Sequence, residues 1–396
     1  MGNRTYTCPI ARRCGGCEWL AVPYPTQLRR KQEEMEGLFG EVCQADGVRV
    51  APILGMEDPV GYRHKAATPF APGPHGRYRA GFFERGSHRI VWCERCLVEA
   101  PGAREVLVDV ARCAERLGIP AYDEDESTGV LRHAVARVGW ATGEVLLTLV
   151  TAGDDLPRRD RLCRELVARH PEICSIVQNV NERRTNAILG FRNRTLYGPG
   201  VMHDRLLGCT FEIGPTSFYQ VNPEQTQALY GAAIDAAALE GGMRVLDAYC
   251  GTGTIGICAS AEVRHLTGGV VRVVGVEQSA GAVACAKRNA RANGLDGWCQ
   301  FVAGDAADFM ARGDAALGGG FDVVLMDPPR AGSTPEFLAA VAGLAPRRVV
   351  YVSCNPVTQV RDLAPLREAG YRVRSIQPVD LFPHTRHVET VVGLER

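Results

Sequence analysis

The sequence predicts an α/β protein with two domains that meet at residues 210 and 211. After residue 243, short β-branched apolar runs alternate with helical patterns, which is typical of a doubly wound parallel sheet. Before residue 210, the apolar runs are separated by short turns, as in the strand pair around Ala141-Thr142-Gly143. We therefore expect a mainly antiparallel α+β domain over residues 1–210 and a doubly wound domain over residues 211–396.

The composition narrows the possible classes of function. The chain has 45 Lys and Arg against 45 Asp and Glu, so its net charge does not by itself indicate a nucleic-acid partner. Its 15 cysteines are scattered over a chain too long for a small disulfide scaffold, which indicates reduced thiols, some of them metal ligands. Neither a signal peptide nor an apolar run of membrane-spanning length is visible. We expect a soluble cytoplasmic protein with no obligate protein partner.

The first cysteines have the spacing of metal ligands. Cys8, Cys14 and Cys17 form a C-x5-C-x2-C pattern, and the two glycines before Cys17 let the backbone fold tightly enough for three thiolates to face one point. A fourth ligand is expected downstream, where Cys93 and Cys96 both stand. Four thiolates suit either zinc or an iron–sulfur cluster, and the spacing alone does not separate the two.

The segment from residue 60 to residue 92 combines positive charge with aromatic rings. Six Arg or Lys residues accompany one acid, Glu84. The interleaved aromatic residues are Tyr62, Phe70, Tyr78, Phe82, Phe83 and Trp92. Charge for phosphates and rings for unstacked bases are what a surface for single-stranded RNA needs. An ordinary solvated β-face has the same pattern, and both interpretations stay open.

A glycine-rich turn follows the first strand of the predicted doubly wound domain. The turn 251–256 (GTGTIG) matches the dinucleotide fingerprint, so an NAD-dependent oxidoreductase must be considered. Asp247 in the preceding strand would repel the pyrophosphate that such a turn binds. An acid there fits a cofactor with a cationic end and no phosphate, such as S-adenosylmethionine. Glu277 can then accept the ribose hydroxyls and Asp305 can reach the adenine edge, as in a methyltransferase-type domain.

Two residues further along suggest methyl transfer to carbon. A buried strand delivers Cys354 to the sheet edge, and the 327–330 motif (DPPR) lacks the aromatic residue typical of amine methylation. Carbon-5 of uracil becomes nucleophilic only after a thiolate adds to carbon-6, and a base must then remove the carbon-5 proton. Cys354 suits the first role and Glu389, on the last predicted strand, the second. Taken singly, an inert buried thiol and a strand-face carboxylate remain open interpretations.

With these motifs in place, the chain resembles the bacterial RNA (uracil-5-)-methyltransferases, specifically the iron–sulfur branch that acts on 23S rRNA. The likeness rests on the N-terminal cysteine pattern and on segments 81–88, 217–222 (SFYQVN), 246–251 (LDAYCG), 327–330, 353–356 (SCNP) and 387–390 (HVET). The resemblance implies a Rossmann-like C-terminal domain, Cys354 as nucleophile and Glu389 as proton acceptor. It implies S-adenosylmethionine contacts from Gln220, Tyr249, Thr254, Glu277, Asp305 and Asp327.

The resemblance also implies a [4Fe–4S] cluster on Cys8, Cys14, Cys17 and a fourth cysteine, carried by the N-terminal domain. In the family that ligand is usually followed by Pro and an apolar pair. Cys96 fits this pattern better than Cys93, because Leu97 and Val98 follow it, but the Pro is missing. The choice between the two cysteines therefore stays open.

The chain departs from the family in ways that bear on the RNA substrate. Many relatives carry a β-barrel RNA-binding domain before the cluster, whereas the first candidate ligand here is Cys8, so we expect that domain to be absent and RNA capture to depend more on residues 60–92. The tRNA branch in bacteria generally lacks the cysteines, which favours 23S rRNA; the T-loop of tRNA stays open as an alternative. A non-enzymatic RNA-binding module would leave Cys354 and Glu389 unexplained.

Overall fold

The computed structural model describes residues 4–312 and 320–396. Three helices open the chain: α1 (Ala11–Cys14), α2 (Tyr24–Leu38) and α3 (Gly40–Asp46). Helix α2 has the bounds that the sequence predicts, and its buried residues Tyr24, Gln27, Lys31 and Met35 recur every three or four positions on one face. That face is not purely apolar, because two of its four buried side chains are polar.

The first seven-stranded sheet is mainly antiparallel. Its strands are β1 (Lys65–Pro72), β2 (Tyr78–Phe83), β3 (Ile90–Trp92), β4 (Leu131–Val138), β5 (Val145–Thr151), β6 (Ile173–Val180) and β7 (Arg192–Tyr197). A 3₁₀ turn (Pro74–Gly76) joins β1 to β2. The spatial order is β3-β2-β1-β4-β5-β6-β7, and β5 and β6 pair in parallel. Helices α4 (Ala103–Leu117) and α5 (Arg159–Arg169) share one apolar core with this sheet.

A hairpin of β8 (Met202–Leu206) and β9 (Cys209–Ile213) leads from the first sheet into the second. Leu206 and Phe211 belong to the core of the C-terminal half, and so do Met35 and Phe39 from the N-terminal helices. Packing therefore joins early parts of the chain to the later sheet. The predicted boundary at residues 210 and 211 falls within β9 and stays a prediction.

The second seven-stranded sheet is doubly wound. Its elements in chain order are α6 (Pro223–Ala237), β10 (Arg244–Ala248), α7 (Thr254–Thr267), β11 (Arg272–Glu277), α8 (Ala280–Ala292), β12 (Cys299–Ala303), α9 (Ala306–Arg312), β13 (Val323–Met326), α10 (Pro335–Leu344), β14 (Arg348–Ser353), α11 (Pro356–Glu368), β15 (Arg372–Val379) and β16 (Glu389–Glu395). The spatial order is β12-β11-β10-β13-β14-β16-β15. The strand order reverses between β10 and β13, where ligands bind in open α/β sheets.

Strand β16 brings two distant parts of the chain together. It runs antiparallel to β14, and Ser353 at the end of β14 pairs with Thr390 near the start of β16. The residues just outside this pair, Cys354 and Glu389, therefore lie at the same edge of the sheet. Within residues 4–312 and 320–396, none of the helices has the length and apolar character needed to cross a membrane.

Candidate active site

A cavity of about 1000 Å³ opens at the carboxyl edge of the second sheet. The eight residues that the sequence nominates for catalysis and cofactor binding all line it: Gln220, Tyr249, Thr254, Glu277, Asp305, Asp327, Cys354 and Glu389. Their side chains come from the ends of neighbouring strands and from the segment before α6. The structure thus brings the nominated residues to one place, while their individual roles stay predictions.

The glycine turn wraps tightly around a buried acid. Gly253 has a φ of +79° at the start of α7, a conformation that favours glycine. The backbone N–H of Gly256 donates to Oδ2 of Asp247 over 3.0 Å, and a Cβ at Gly256 would lie 2.7 Å from that oxygen. Burial, with smaller effects from the Asp327 and Glu277 carboxylates, raises the pKa of Asp247 to about 7. Negative charge on Asp247 is therefore costly until a cation neutralises it.

Two further acids are oriented by backbone donors. Glu277 accepts hydrogen bonds from the backbone N–H of Ser279 at 2.8 Å and of Gly251 at 3.3 Å. Asp305 accepts from the backbone N–H of Ala307 at 2.8 Å and from the side chain of Gln278 at 3.0 Å. Hydrogen bonds, first of all from the backbone N–H of Asp308, hold the pKa of Asp305 below its ordinary value. Both carboxylates are held at the cavity wall.

Aromatic side chains shape the same wall. Tyr249 has a φ of +61°, and its ring lies 5.0 Å from the ring of Phe337, centroid to centroid. Tyr230 on α6 forms a hydrogen bond of 3.1 Å between its hydroxyl and that of Thr254. Tyr230 is not among the residues that the sequence nominates; its place one helical turn after Thr226 on the buried face of α6 is the signal that could have indicated it.

The thiol and the carboxylates interact electrostatically. Burial, then the carboxylates of Glu389 and Asp327, raises the pKa of Cys354 to about 11, while Arg330 acts in the opposite direction. Glu389 is only 3% exposed, and burial together with Asp327 raises its pKa well above the ordinary value. Burial also raises the pKa of Asp327 to about 7. The site therefore favours neutral forms and holds a carboxyl group that, once ionised, is a strong base.

The loop before Glu389 is tied to the N-terminal helix α2. Lys31 and Asp380, both fully buried, form an ion pair with 2.6 Å between Nζ and Oδ1. The hydroxyl of Tyr24 donates to the other oxygen of Asp380 over 2.7 Å. Residues 382, 385 and 387 of this loop line the cavity. Nothing local in the sequence indicates this pair, because its partners are 349 residues apart.

The N-terminal cysteines lie near one another and beside the cavity. Burial, followed by the thiols of Cys96, Cys14 and Cys8, raises the pKa of Cys17 to about 12. Cys17 and Cys96 pack against one small apolar cluster that includes Val98, a residue of the cavity wall. Cys93 is buried and directs its Sγ at the carbonyl of Arg95 over 3.1 Å. Among the residues that the structure describes, no group of three or more His, Cys, Asp or Glu could hold a metal ion, so the predicted ligand set stays a prediction.

The strand order, the glycine turn and the acid-lined cavity define an S-adenosylmethionine-dependent methyltransferase. A family model described as tRNA (Uracil-5-)-methyltransferase matches residues 208–396. An uncharacterized RNA methyltransferase of Halalkalibacterium halodurans is 41% identical over 392 residues, which are 98% of this chain and 82% of the relative. Another uncharacterized RNA methyltransferase, from Caldanaerobacter subterraneus, is 38% identical over 390 residues, which are 98% of this chain and 84% of that relative.

A solved structure is similar over nearly the whole chain. The crystal structure of Pyrococcus abyssi tRNA (uracil-54, C5)-methyltransferase in complex with S-adenosyl-L-homocysteine superposes with a TM-score of 0.77 at 27% identity, over 98% of this chain and 87% of that one. The chain belongs to the RNA (uracil-5-)-methyltransferase family and is an enzyme of that class. The prediction of a methyltransferase is confirmed, and the interpretation as an NAD-dependent oxidoreductase is set aside.

Proposed function

We propose that the protein methylates carbon-5 of a specific uridine in RNA through a covalent bond between Cys354 and the uracil ring. The observation that carries the proposal is the convergence of Cys354 and Glu389 at one sheet edge, since Ser353 and Thr390 pair directly there. Both side chains line the cavity that also holds the nominated cofactor residues. A thiol beside a buried carboxylate fits a reaction that needs a nucleophile and then a base.

The two side chains divide the chemistry between them. The Cys354 thiolate adds to carbon-6, and the electron pair of the 5,6 double bond moves onto the carbon-4 carbonyl as an enolate. The enolate then makes carbon-5 nucleophilic, and S-adenosylmethionine, when bound, supplies the methyl group. Glu389 as carboxylate removes the carbon-5 proton, the double bond forms again and the thiolate leaves. Because burial raises the pKa of Glu389, its carboxylate is a stronger base than an exposed one.

The cavity suits the cofactor that this chemistry needs. Carboxylates of Asp247, Asp305 and Asp327 reach the cavity wall, which disfavours a pyrophosphate and favours a sulfonium with an ammonium group. We assign the ribose hydroxyls to Glu277, whose oxygens are already oriented by backbone donors. The remaining contacts are assigned to Gln220, Tyr249, Thr254, Asp305 and Asp327.

For the RNA substrate we propose 23S rRNA, with tRNA as the second candidate. The N-terminal cysteine pattern supports rRNA, because it is the feature that the resemblance links to that branch. The similar protein from Pyrococcus abyssi acts on uridine 54 of tRNA, and this favours the second candidate. The chemistry is the same in both cases, so the distinction depends on which RNA reaches the cavity.

A substrate that traps the covalent intermediate tests both proposals. The protein would be incubated with S-adenosylmethionine and 5-fluorouridine-substituted transcripts, either a pool of 23S fragments or a tRNA. Fluorine cannot be removed as a proton, so we expect a protein–RNA adduct that survives denaturing gels. The adduct should vanish in Cys354→Ala and persist in Cys43→Ala, which removes a partly exposed thiol outside the cavity. An adduct on tRNA alone would transfer the assignment to tRNA, and no adduct on either RNA would refute the mechanism.

We also propose that Cys8, Cys14, Cys17 and Cys96 hold a [4Fe–4S] cluster. The mutual effect of these thiols on the pKa of Cys17 supports their proximity. Each thiolate of such a cluster binds a different iron, so the four sulfur atoms need not converge on one ion-sized point. The cluster would stabilise the N-terminal segment or respond to oxidants, and the methyl transfer itself uses only Cys354 and Glu389.

Iron analysis tests the ligand set without depending on activity. Protein purified without oxygen should contain iron and acid-labile sulfide. Cys17→Ser should lose both, whereas Cys93→Ser should keep them, because Cys93 directs its thiol at the carbonyl of Arg95. Loss in the Cys93 variant with retention in Cys96→Ser would assign the fourth ligand to Cys93 instead.

A further inference from the structure

Three cations cluster beside the cavity on the first sheet. Lys65 on β1 and Arg137 on β4 are direct cross-strand partners, and Arg63 precedes Lys65 by two residues. Side chains at directly opposed positions of an antiparallel pair are close neighbours on one face of the sheet, and like charges there are destabilising. Something must therefore offset the repulsion within this cationic cluster of Arg63, Lys65 and Arg137.

The part of the chain that the structure describes supplies no carboxylate to compensate Lys65 or Arg137. Arg137 is only 5% exposed, and one of its terminal nitrogens donates to the carbonyl of Ser217. Its Nε has no hydrogen-bond partner among the described residues. Burial, then Arg137 and Arg63, lowers the pKa of Lys65 to about 8. Over residues 4–312 and 320–396, no carboxylate is among the groups that act on Lys65 or Arg137. A buried guanidinium without an acidic partner is costly unless a ligand pairs with it.

The cationic cluster borders the cavity of the candidate active site. Arg63 lines the cavity, and Arg137 holds the carbonyl of Ser217, the residue before Phe218. The backbone N–H of His64 donates to the carbonyl of Val221 over 2.7 Å, so the segment 217–221 docks on β1 and β4. Phe218 is 69% exposed and lines the cavity, which leaves its ring free to stack on a base.

We propose that Arg63 and Lys65, supported by the charge of the buried Arg137, bind one phosphodiester of the RNA strand whose uridine enters the cavity. The inference rests on the proposed function, because it places an RNA strand at this cavity. A phosphodiester supplies the negative charge that the cationic cluster lacks, and Arg63 and Lys65 are accessible enough to donate to its oxygens. The buried Arg137 adds positive charge next to Lys65 and holds the segment that carries Phe218.

Salt dependence of RNA binding provides the first test. A uridine-containing stem-loop RNA would be titrated at several salt concentrations against the full chain, Arg63→Gln, Lys65→Gln and the control Arg272→Gln. Arg272 is an exposed arginine at the start of β11, the opposite edge of the sheet from the cavity. The plot of log affinity against log salt has a negative slope. We expect each cluster variant to make this slope shallower by up to about 0.7, the value for one phosphate of a single strand. The control should keep the slope of the unchanged protein.

A backbone scan identifies the phosphate. Stem-loops that each carry one neutral methylphosphonate linkage near the uridine would be compared. With the unchanged protein, one linkage should lower affinity about tenfold, as expected for one lost charge-assisted contact. With Lys65→Gln the loss at that linkage should be smaller, because only the contact of Arg63 with this phosphate remains. Equal losses at every linkage, or unchanged sensitivity in the variant, would overturn the phosphate site.

Two readouts separate this inference from the catalytic proposal. Affinity for S-adenosylhomocysteine should stay unchanged in Arg63→Gln and Lys65→Gln, which also shows that the variants are folded. A loss confined to that affinity would mean that the cationic cluster serves the carboxylate of the cofactor, and the inference would fail. The 5-fluorouridine adduct reports on Cys354 alone, so it can form even when the phosphate site is disproved.

Discussion

The second sheet brings acids to the cavity, whereas Arg63, which lines the same cavity, stands just before β1 of the first sheet and belongs to a cationic cluster. The second sheet contributes acids such as Asp247, Asp327 and Glu389, whose pKa values are raised by burial. The first sheet contributes Lys65, whose pKa is lowered by burial and by neighbouring arginines. Burial therefore disfavours the charged forms on both sides, which raises the pKa of the acids and lowers that of Lys65. We infer that the acidic side binds the cationic end of the cofactor and that the basic side binds the RNA backbone.

The largest expected effect comes from the acidic side. Cys354→Ala removes the nucleophile, so methyl transfer should fall by a factor of about 10⁶, as when the nucleophile of a covalent enzyme is lost. Affinity for S-adenosylhomocysteine should stay within about twofold, because the predicted cofactor contacts remain. Methyl incorporation into the transcript and calorimetry measure the two quantities. Substantial methylation by the variant would remove Cys354 from the mechanism.

Glu389→Gln should stop the reaction after methyl transfer, at removal of the carbon-5 proton. Without a base for the carbon-5 proton, turnover should fall by about 10² to 10⁴-fold. A covalent protein–RNA complex should then accumulate on ordinary uridine, which a denaturing gel detects. A variant that is equally slow but shows no complex would indicate that Glu389 acts before the thiol adds.

The acidic side is also the more predictable side. Strands such as β11 and β14 are rich in valine, and each ends at or next to a residue with evident chemistry, Glu277 or Cys354. A parallel sheet places such ends at one edge, so local patterns are enough to assemble this half of the site. The prediction of the doubly wound sheet is confirmed, and Glu389 also lies where the sequence indicates, at the start of the last strand.

The basic side depends on contacts that no local pattern reveals. Lys65 and Arg137 become neighbours only through the register of β1 and β4, 72 positions apart in the numbering. The segment from residue 60 to residue 92, which the sequence marks as positively charged, does not include Arg137. Helix α4 is likewise not predicted, although Val106, Val110 and Leu117 repeat on one helical face. Register and tertiary pairing, which decide these features, are set by the whole sheet.

A buried ion pair that joins the N-terminal helix α2 to the C-terminal half of the chain should affect stability. Lys31 belongs to the N-terminal helix, yet its partner Asp380 begins the loop that leads to Glu389. Lys31→Met leaves a buried carboxylate unpaired, so the free energy of unfolding should fall by about 3 to 5 kcal/mol, measured in urea. Arg29→Met on the same helix removes only an exposed pair with Glu33 and should change it by less than about 1 kcal/mol. Equal effects of the two substitutions would show that the buried pair does not hold the loop.

The pH dependence of stability tests whether the acidic side is unsatisfied without its cofactor. Because the folded-state pKa of Asp247 is about 7, the folded protein binds this proton more tightly than the unfolded chain does. The contribution of Asp247 to stability should therefore fall as pH rises from about 4 to about 7. Asp247→Asn should remove about 2 to 4 kcal/mol of that decline, seen in urea melts of cofactor-free protein.

Asp305 is the matched control, because its pKa is shifted in the opposite direction from that of Asp247. Hydrogen bonds lower the pKa of Asp305, so its ionised form favours folding, and this contribution is lost as pH falls through the folded-state pKa. Asp305→Asn should thus lower stability at neutral pH relative to acidic pH. Asp247→Asn should also weaken S-adenosylhomocysteine binding by about tenfold, because the ammonium group loses a charged partner. A variant that gains stability but keeps full affinity would mean that Asp247 serves only to hold the glycine turn, and that the cationic end of the cofactor is neutralised by another acid of the cavity.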